Sequence, residues 1–171
     1  MKLKIYELFG VFFTLIFGVF LHFTYEWSGR NPFVALFSAV NESTWEHLKL
    51  LFVPYLSYSF FELKILHDKY SNLITAKCIG MLAGMILIPL LFYIYKYFMA
   101  RDYLILDIMI FIISVIVAYM VDYYIMVLKF PSYNKMCFIL CFLILLIFGW
   151  FTINPPEYSL FFDPVKKSYG I

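Results

Sequence analysis

The chain has 171 residues, enough for one domain with a real core, so length by itself excludes little. Composition excludes far more: 64% of residues are hydrophobic, 14% are charged and mean hydropathy is +0.88, against about 45–50% apolar and about 25% charged in soluble domains. That balance describes an integral membrane protein and excludes a soluble enzyme or a nucleic-acid binder; the lipid bilayer is the first partner, and a net charge of +2 is too small to imply an anionic one.

The expected fold is all-α, a polytopic transmembrane helical bundle of about five spans plus a short re-entrant or interfacial helix, with residues 1–171 forming one integral membrane domain. The first span covers residues 5–23. Lys2 and Lys4 resemble the start of a signal peptide, but no small-residue cleavage site follows, so the helix is read as uncleaved. Glu7 is read as interfacial. The connection over 26–44 is polar except for residues 33–37, too few to span, which suggest a surface or re-entrant helix starting after Asn31-Pro32.

A second helix, residues 43–66, is weakly apolar, with Pro54, Tyr55, Ser57, Tyr58 and Ser59 at its centre. The third span, 73–95, carries Ala76, Gly80 and Gly84, a stripe of small residues that admits another backbone closely. The fourth, 103–128, contains Asp107 and Asp122. Ionisable residues inside a span face protein or water, and Asp122 is read as a packing acid with Tyr119 or Tyr123 as donor. The fifth, 136–152, stops at Asn154-Pro155-Pro156, and in the tail Asp163-Pro164 and Tyr169-Gly170 read as turns. Cys78, Cys137 and Cys141 lie in apolar runs and read as buried small hydrophobes. Seven positive residues on the N-terminal side against six on the other favour an N-terminus inside the cell membrane.

Five spans put residues 26–49, the 96–101 loop and the tail on one face whichever way up the protein sits. His22, Glu26, Arg30, Asn41, Glu42, Glu46, His47, Arg101, Asp107, Asn154, Glu157 and Asp163 therefore gather there, and Trp27, Trp45 and Trp150 read as an aromatic belt at that boundary. Imidazole and carboxylate donors suit a divalent metal such as zinc or manganese. In the sharpest form of this reading His22, Glu46 and His47 are metal ligands, and Glu42 or Glu26 is a catalytic base. Arg30, Asn41, Lys49, Arg101 and Asp107 bind substrate, with the basic groups holding an anion. The metal would activate water against an ester, amide or phosphoester.

A metal-free account competes with it. Ser43-Thr44-Trp45-Glu46 has the form of a capping box, Glu42 beside a helix start is favoured by the dipole, and His22 with Glu26 makes a local pair. No H-E-x-x-H, G-x-S-x-G or nucleotide-binding glycine loop is present.

The stretch His22-Phe23-x-Tyr25-Glu26-Trp27, followed by the run from Asn41 through Glu42, Ser43, Thr44, Trp45, Glu46, His47 and Leu48 to Lys49, resembles a family of small multi-pass membrane proteins from clostridia and related bacteria. The tail is similar too, with Asn154, Pro155, Pro156, Asp163, Pro164, Tyr169 and Gly170. The resemblance implies a membrane protein whose tail shares a face with residues 41–49; the family brings no established activity. Three function classes stand: a metal-dependent membrane hydrolase, a transporter or small-ligand-binding membrane subunit, and a structural or regulatory membrane protein that docks another protein.

Overall fold

The first helix, α1 (Lys2–Trp27), turns small and polar residues inward and large apolar ones outward. Leu3, Glu7, Gly10, Thr14, Gly18 and Tyr25 are buried at steps of three, four or seven residues, while Phe9, Phe12, Ile16 and Phe20 are exposed. This is the reverse of a helix in water. Lipid is as apolar as leucine, so helices in a bilayer associate through close packing and hydrogen bonds. In the computed structural model, which describes residues 2–99 and 103–171, the same pattern organises an all-α bundle.

A one-turn helix, α2 (Pro32–Ala35), follows, capped by the Asn31 side chain, which accepts from the Phe33 amide. Then come α3 (Thr44–Leu66), α4 (Leu73–Met99), α5 (Leu104–Val127) and α6 (Asn134–Ile153). The tail makes a single 3-10 turn (Ser159–Phe161) and a small antiparallel hairpin of β1 (Phe162–Asp163) and β2 (Ser168–Tyr169), with Asp163 opposite Ser168. Four of the long helices, α1, α4, α5 and α6, are long and apolar enough to cross a membrane. The chain is a multi-pass membrane protein associated with the lipid bilayer.

Helix α3 is the axis of the bundle. Thirteen of its 23 residues are buried, against three of 20 in α6. It runs antiparallel to α1 along the whole length of that helix. At one end the Tyr58 hydroxyl donates to the Tyr6 carbonyl at 2.8 Å, and at the other the His22 and His47 rings lie 5.3 Å apart. Leu51, Phe52 and Tyr55 from α3 meet Met81 from α4, Val115, Ala118 and Tyr119 from α5, and Phe148 from α6 in the principal core. The polarity that keeps α3 from standing alone as an apolar span is tolerated because its neighbours cover it.

The small-residue stripe of α4 does what its spacing predicts. A Cβ at Gly80 would stand 2.5 Å from the Ala118 carbonyl oxygen, and one at Gly84 2.9 Å from that of Ser114. Helices α4 and α5 meet backbone to backbone.

Several expectations change. Glu7 is buried against Lys77 at 2.8 Å, not interfacial. Asp122 takes its hydroxyl donor from Tyr55, whereas Tyr119 pairs with Thr14 at 2.9 Å. Trp27 and Trp150 are exposed, but Trp45 packs on Phe148 and Phe161, each ring 4.9 Å away.

Candidate metal centre

His22 lies one turn beyond Gly18 on the inward stripe of α1. Gly18 has no room for a side chain, because a Cβ there would stand 2.6 Å from the Leu50 carbonyl oxygen. That close approach sets the His22 ring against His47 in the first turn of α3. The His47 Nδ1 is 2.8 Å from the Ser43 carbonyl oxygen. A carbonyl has no proton to give, so Nδ1–H is the donor, and in the neutral ring Nε2 carries the lone pair.

Both imidazoles face Glu42. His47 Nε2 is 3.5 Å from one carboxylate oxygen and His22 Nε2 is 3.6 Å from the other. These separations exceed a charge-assisted hydrogen bond, about 2.7–2.9 Å. Each is close to the edge of a ligand tetrahedron, about 3.4 Å for zinc bonds of about 2.0–2.1 Å, though the two run to different Glu42 oxygens. The ligand atoms of all three residues lie within 4.8 Å of one another. This His/Glu cluster can therefore coordinate a divalent metal. The backbone bond of His47 fixes its tautomer as outer-shell partners of ligating histidines do. His22 Nδ1 has no partner among the described residues, and its ring is set by edge contact with Phe23, centroids 4.8 Å apart.

Glu42 is held from behind by the tail. Its amide donates to a carboxylate oxygen of the fully buried Asp163 at 3.3 Å. The other Asp163 oxygen accepts from the amides of Val165 at 2.7 Å and Lys166 at 3.0 Å. Asn41 donates to the Gly170 carbonyl at 2.8 Å, and Lys166 donates to the Val40 carbonyl at 3.2 Å. Gly170, at φ +72°, is in the left-handed region that glycine enters without penalty. The neighbouring His47 imidazole holds the Glu42 carboxyl below the usual carboxylate range, with partial burial acting the other way.

The three side chains open onto a cavity of about 490 Å³ between α1, α3, α4 and α5. Gly18, Leu50, Ile88, Phe92, Ile110 and Phe111 make most of its wall apolar. Asp107, from the first turn of α5, reaches the same cavity and accepts from the Tyr95 hydroxyl at 2.5 Å.

Other candidates stand elsewhere. Glu46 does not join the histidines: its carboxylate accepts from Lys49 Nζ at 2.6 Å, the Val40 amide at 3.1 Å and the Thr152 hydroxyl at 3.0 Å. The Ser43 hydroxyl accepts from the Glu46 amide at 3.3 Å, so only the cap half of the capping box forms. Lys49, fully buried, donates to the Ala35 carbonyl at 2.9 Å and lies 2.5 Å from the Thr152 hydroxyl. It faces away from the cavity wall. Glu26 and Arg30 form an exposed pair at 3.1 Å. Asn41 braces the loop. Arg101 lies outside the described residues. The parity of the spans put Asp163 on this face but gave it no part in positioning Glu42, and Glu42, expected as a base, stands where it can be a third donor. The four-residue step from Gly18 to His22 was the available signal for the ring pair.

No curated protein and no solved structure matches the chain. The family model that does match describes a family of unknown function, DUF6512, and it covers residues 1–171. Its match to the whole length, on a chain of several apolar helices, makes this protein a member of the DUF6512 family.

Proposed function

We propose that the protein is a metal-dependent membrane hydrolase that cleaves an ester or amide of an amphiphile whose apolar chain occupies the cavity between α1, α3, α4 and α5. One observation carries this reading. Three donor atoms within 4.8 Å of one another border a cavity of about 490 Å³, within the range of small-molecule sites, about 300–1,000 Å³.

His22, Glu42 and His47 would hold the ion at the wall of the cavity, as the three protein ligands of catalytic zinc sites do. A zinc or manganese ion there supplies Lewis-acid activation of water and of the scissile carbonyl. Asp107, on the cavity wall, takes the proton of the attacking water and returns it to the leaving group, with the Tyr95 hydroxyl fixing its orientation. The apolar wall aligns the acyl chain and keeps other water out. Asp163 and Asn41, through the tail, hold the Glu42 loop in place. Glu46 and Lys49 serve as a structural pair, and Glu26 and Arg30 take no part.

The test is metal analysis of detergent-purified protein by inductively coupled plasma mass spectrometry, paired with hydrolysis of acyl-ester and lipid substrates. The native chain should carry a divalent ion that His47→Ala and His22→Ala lose while remaining monodisperse. Asp107→Asn should keep the ion and lose about 10²–10⁴ in rate. A metal-free native protein purified without chelator sinks the reading. A loaded protein that binds amphiphiles but never turns them over makes the cavity a ligand-binding site instead.

A further inference from the structure

A second polar centre lies inside the bundle at the opposite end, with one charged residue from each of four helices. Lys77 of α4 places Nζ 2.8 Å from Glu7 of α1, 2.6 Å from Glu62 of α3 and 2.8 Å from Asp122 of α5. All four side chains are buried, Glu62 and Asp122 completely. Glu7 lies fifteen residues from His22, Glu62 from His47 and Asp122 from Asp107, about 22 Å along a helix axis. The two centres are thus separate sites.

The donors here run out before the acceptors do. An ammonium has three N–H groups; that of Lys77 donates to Glu7 and Asp122, while Glu62 is held as an ion pair without a hydrogen bond. The Tyr55 hydroxyl supplies a further donor, to Asp122. Glu7 Oε1, Asp122 Oδ1 and both oxygens of Glu62 are left buried without a hydrogen-bond partner among the described residues. Charge is equally unbalanced, three carboxylates to one cation. In a low-dielectric interior a bare carboxylate oxygen and an uncompensated charge are each strongly unfavourable.

A bound proton cures both defects at once, because it neutralises the group and becomes the missing donor. The ammonium already occupies the middle of the three acids, so these carboxylates do not converge on a metal. We propose that Glu7, Glu62 and Asp122 around Lys77 form a proton-binding site that holds about two exchangeable protons at neutral pH, the number that leaves one carboxylate for one ammonium.

The titratable groups facing this centre are Tyr55, Tyr58 and Glu62 from α3, Glu7 from α1, Lys77 from α4, and Tyr119 and Asp122 from α5. Lys77 also lies over the Tyr119 ring, 4.9 Å from its centroid. From α6 comes the Cys141 thiol, which shares with Lys77 and Tyr55 an apolar gap of about 150 Å³. Loss of the protons leaves like charges around a single cation and pushes four helix ends apart.

The experiment counts protons released when the full-length protein is unfolded in SDS at pH 7. It compares the native chain with a triple variant carrying Glu7→Gln, Glu62→Gln and Asp122→Asn, and with each single variant. The histidines contribute equally to both sides of the comparison. The native chain should release at least about two protons more than the triple variant, in which the buried Lys77 amine, stripped of its acids, takes up a proton on unfolding. Its infrared spectrum should hold a protonated-carboxyl C=O band that shifts in D₂O and vanishes in the triple variant. If the triple variant fails to fold, the same band must weaken in folded Asp122→Asn or Glu62→Gln. Equal proton release, or no such band in the native chain, overturns the proposal. So does native-only stabilisation by sodium chloride over choline chloride without extra proton release, which would make the ligand a sodium ion.

Discussion

Lys49→Met separates structural charges from functional ones in this protein. Lys49 is fully buried, and its ammonium is bound by Glu46, the Ala35 and Ser38 carbonyls and Thr152. Methionine fills similar volume, so the change removes charge with little loss of packing. It strands the buried Glu46 carboxylate with only the Val40 amide and the Thr152 hydroxyl. Breaking one side of a buried ion pair costs about 3–5 kcal/mol, a shift of roughly 10²- to 10⁴-fold in the folded-to-unfolded ratio. The double variant Glu46→Gln with Lys49→Met should recover part of this, with a coupling energy of about 1–3 kcal/mol. Equilibrium unfolding in SDS, followed by Trp45 emission, reads the stability, because that ring packs beside the pair on Phe148. Metal content should not change, since neither residue touches His22, Glu42 or His47. A loss below about 1 kcal/mol, or a folded Lys49→Met protein that has lost its metal, would refute the assignment of this pair to structure.

Four further outcomes are expected. Asp163→Ala should free the Glu42 loop and weaken metal affinity about 10- to 100-fold in competition titrations with a chromogenic chelator, although Asp163 touches no metal donor. Metal binding should weaken as pH falls into the range where imidazoles gain protons that compete with the ion. Glu42 does not set that limit: its carboxyl is held low, so its contribution is present above the ordinary carboxylate range and is lost only as pH falls through the lowered value. Gly80→Leu should cost about 1–3 kcal/mol or more in SDS unfolding, because its Cβ would meet the Ala118 carbonyl at 2.5 Å. Gly149→Ala should be close to neutral, since its Cβ meets only the flexible end of Leu36 at 3.3 Å.

Membrane insertion and helix count are local properties, and the sequence determined them. Runs of apolar residues about 20 long mark α1, α4, α5 and α6 as spans without reference to any partner. With the polar helix α3 counted as a further crossing, alternating direction puts residues 26–49 and the tail at the same end, where Asn41 bonds Gly170 and Glu42 bonds Asp163. The stripe of Ala76, Gly80 and Gly84 likewise announced the tight α4–α5 contact, because small side chains permit it whatever lies opposite.

Pairing between charges was decided only in three dimensions. Glu46 and Glu42 are one helical turn apart and chemically alike, yet one turns toward Lys49 and Thr152 while the other meets the two histidines. Their partners on α1 and α6 lie far away in the chain, and nothing in the spacing of residues 41–49 selects between them. Lys77 and Glu62 look like boundary charges when each span is read separately, and Glu7 looks interfacial. Their place in the interior follows from which face each helix turns inward, and that depends on the packing of all five. The burial of Glu7, Gly10, Thr14 and Gly18 on one stripe of α1 shows the physical reason: in lipid, the small and polar face is the one that packs.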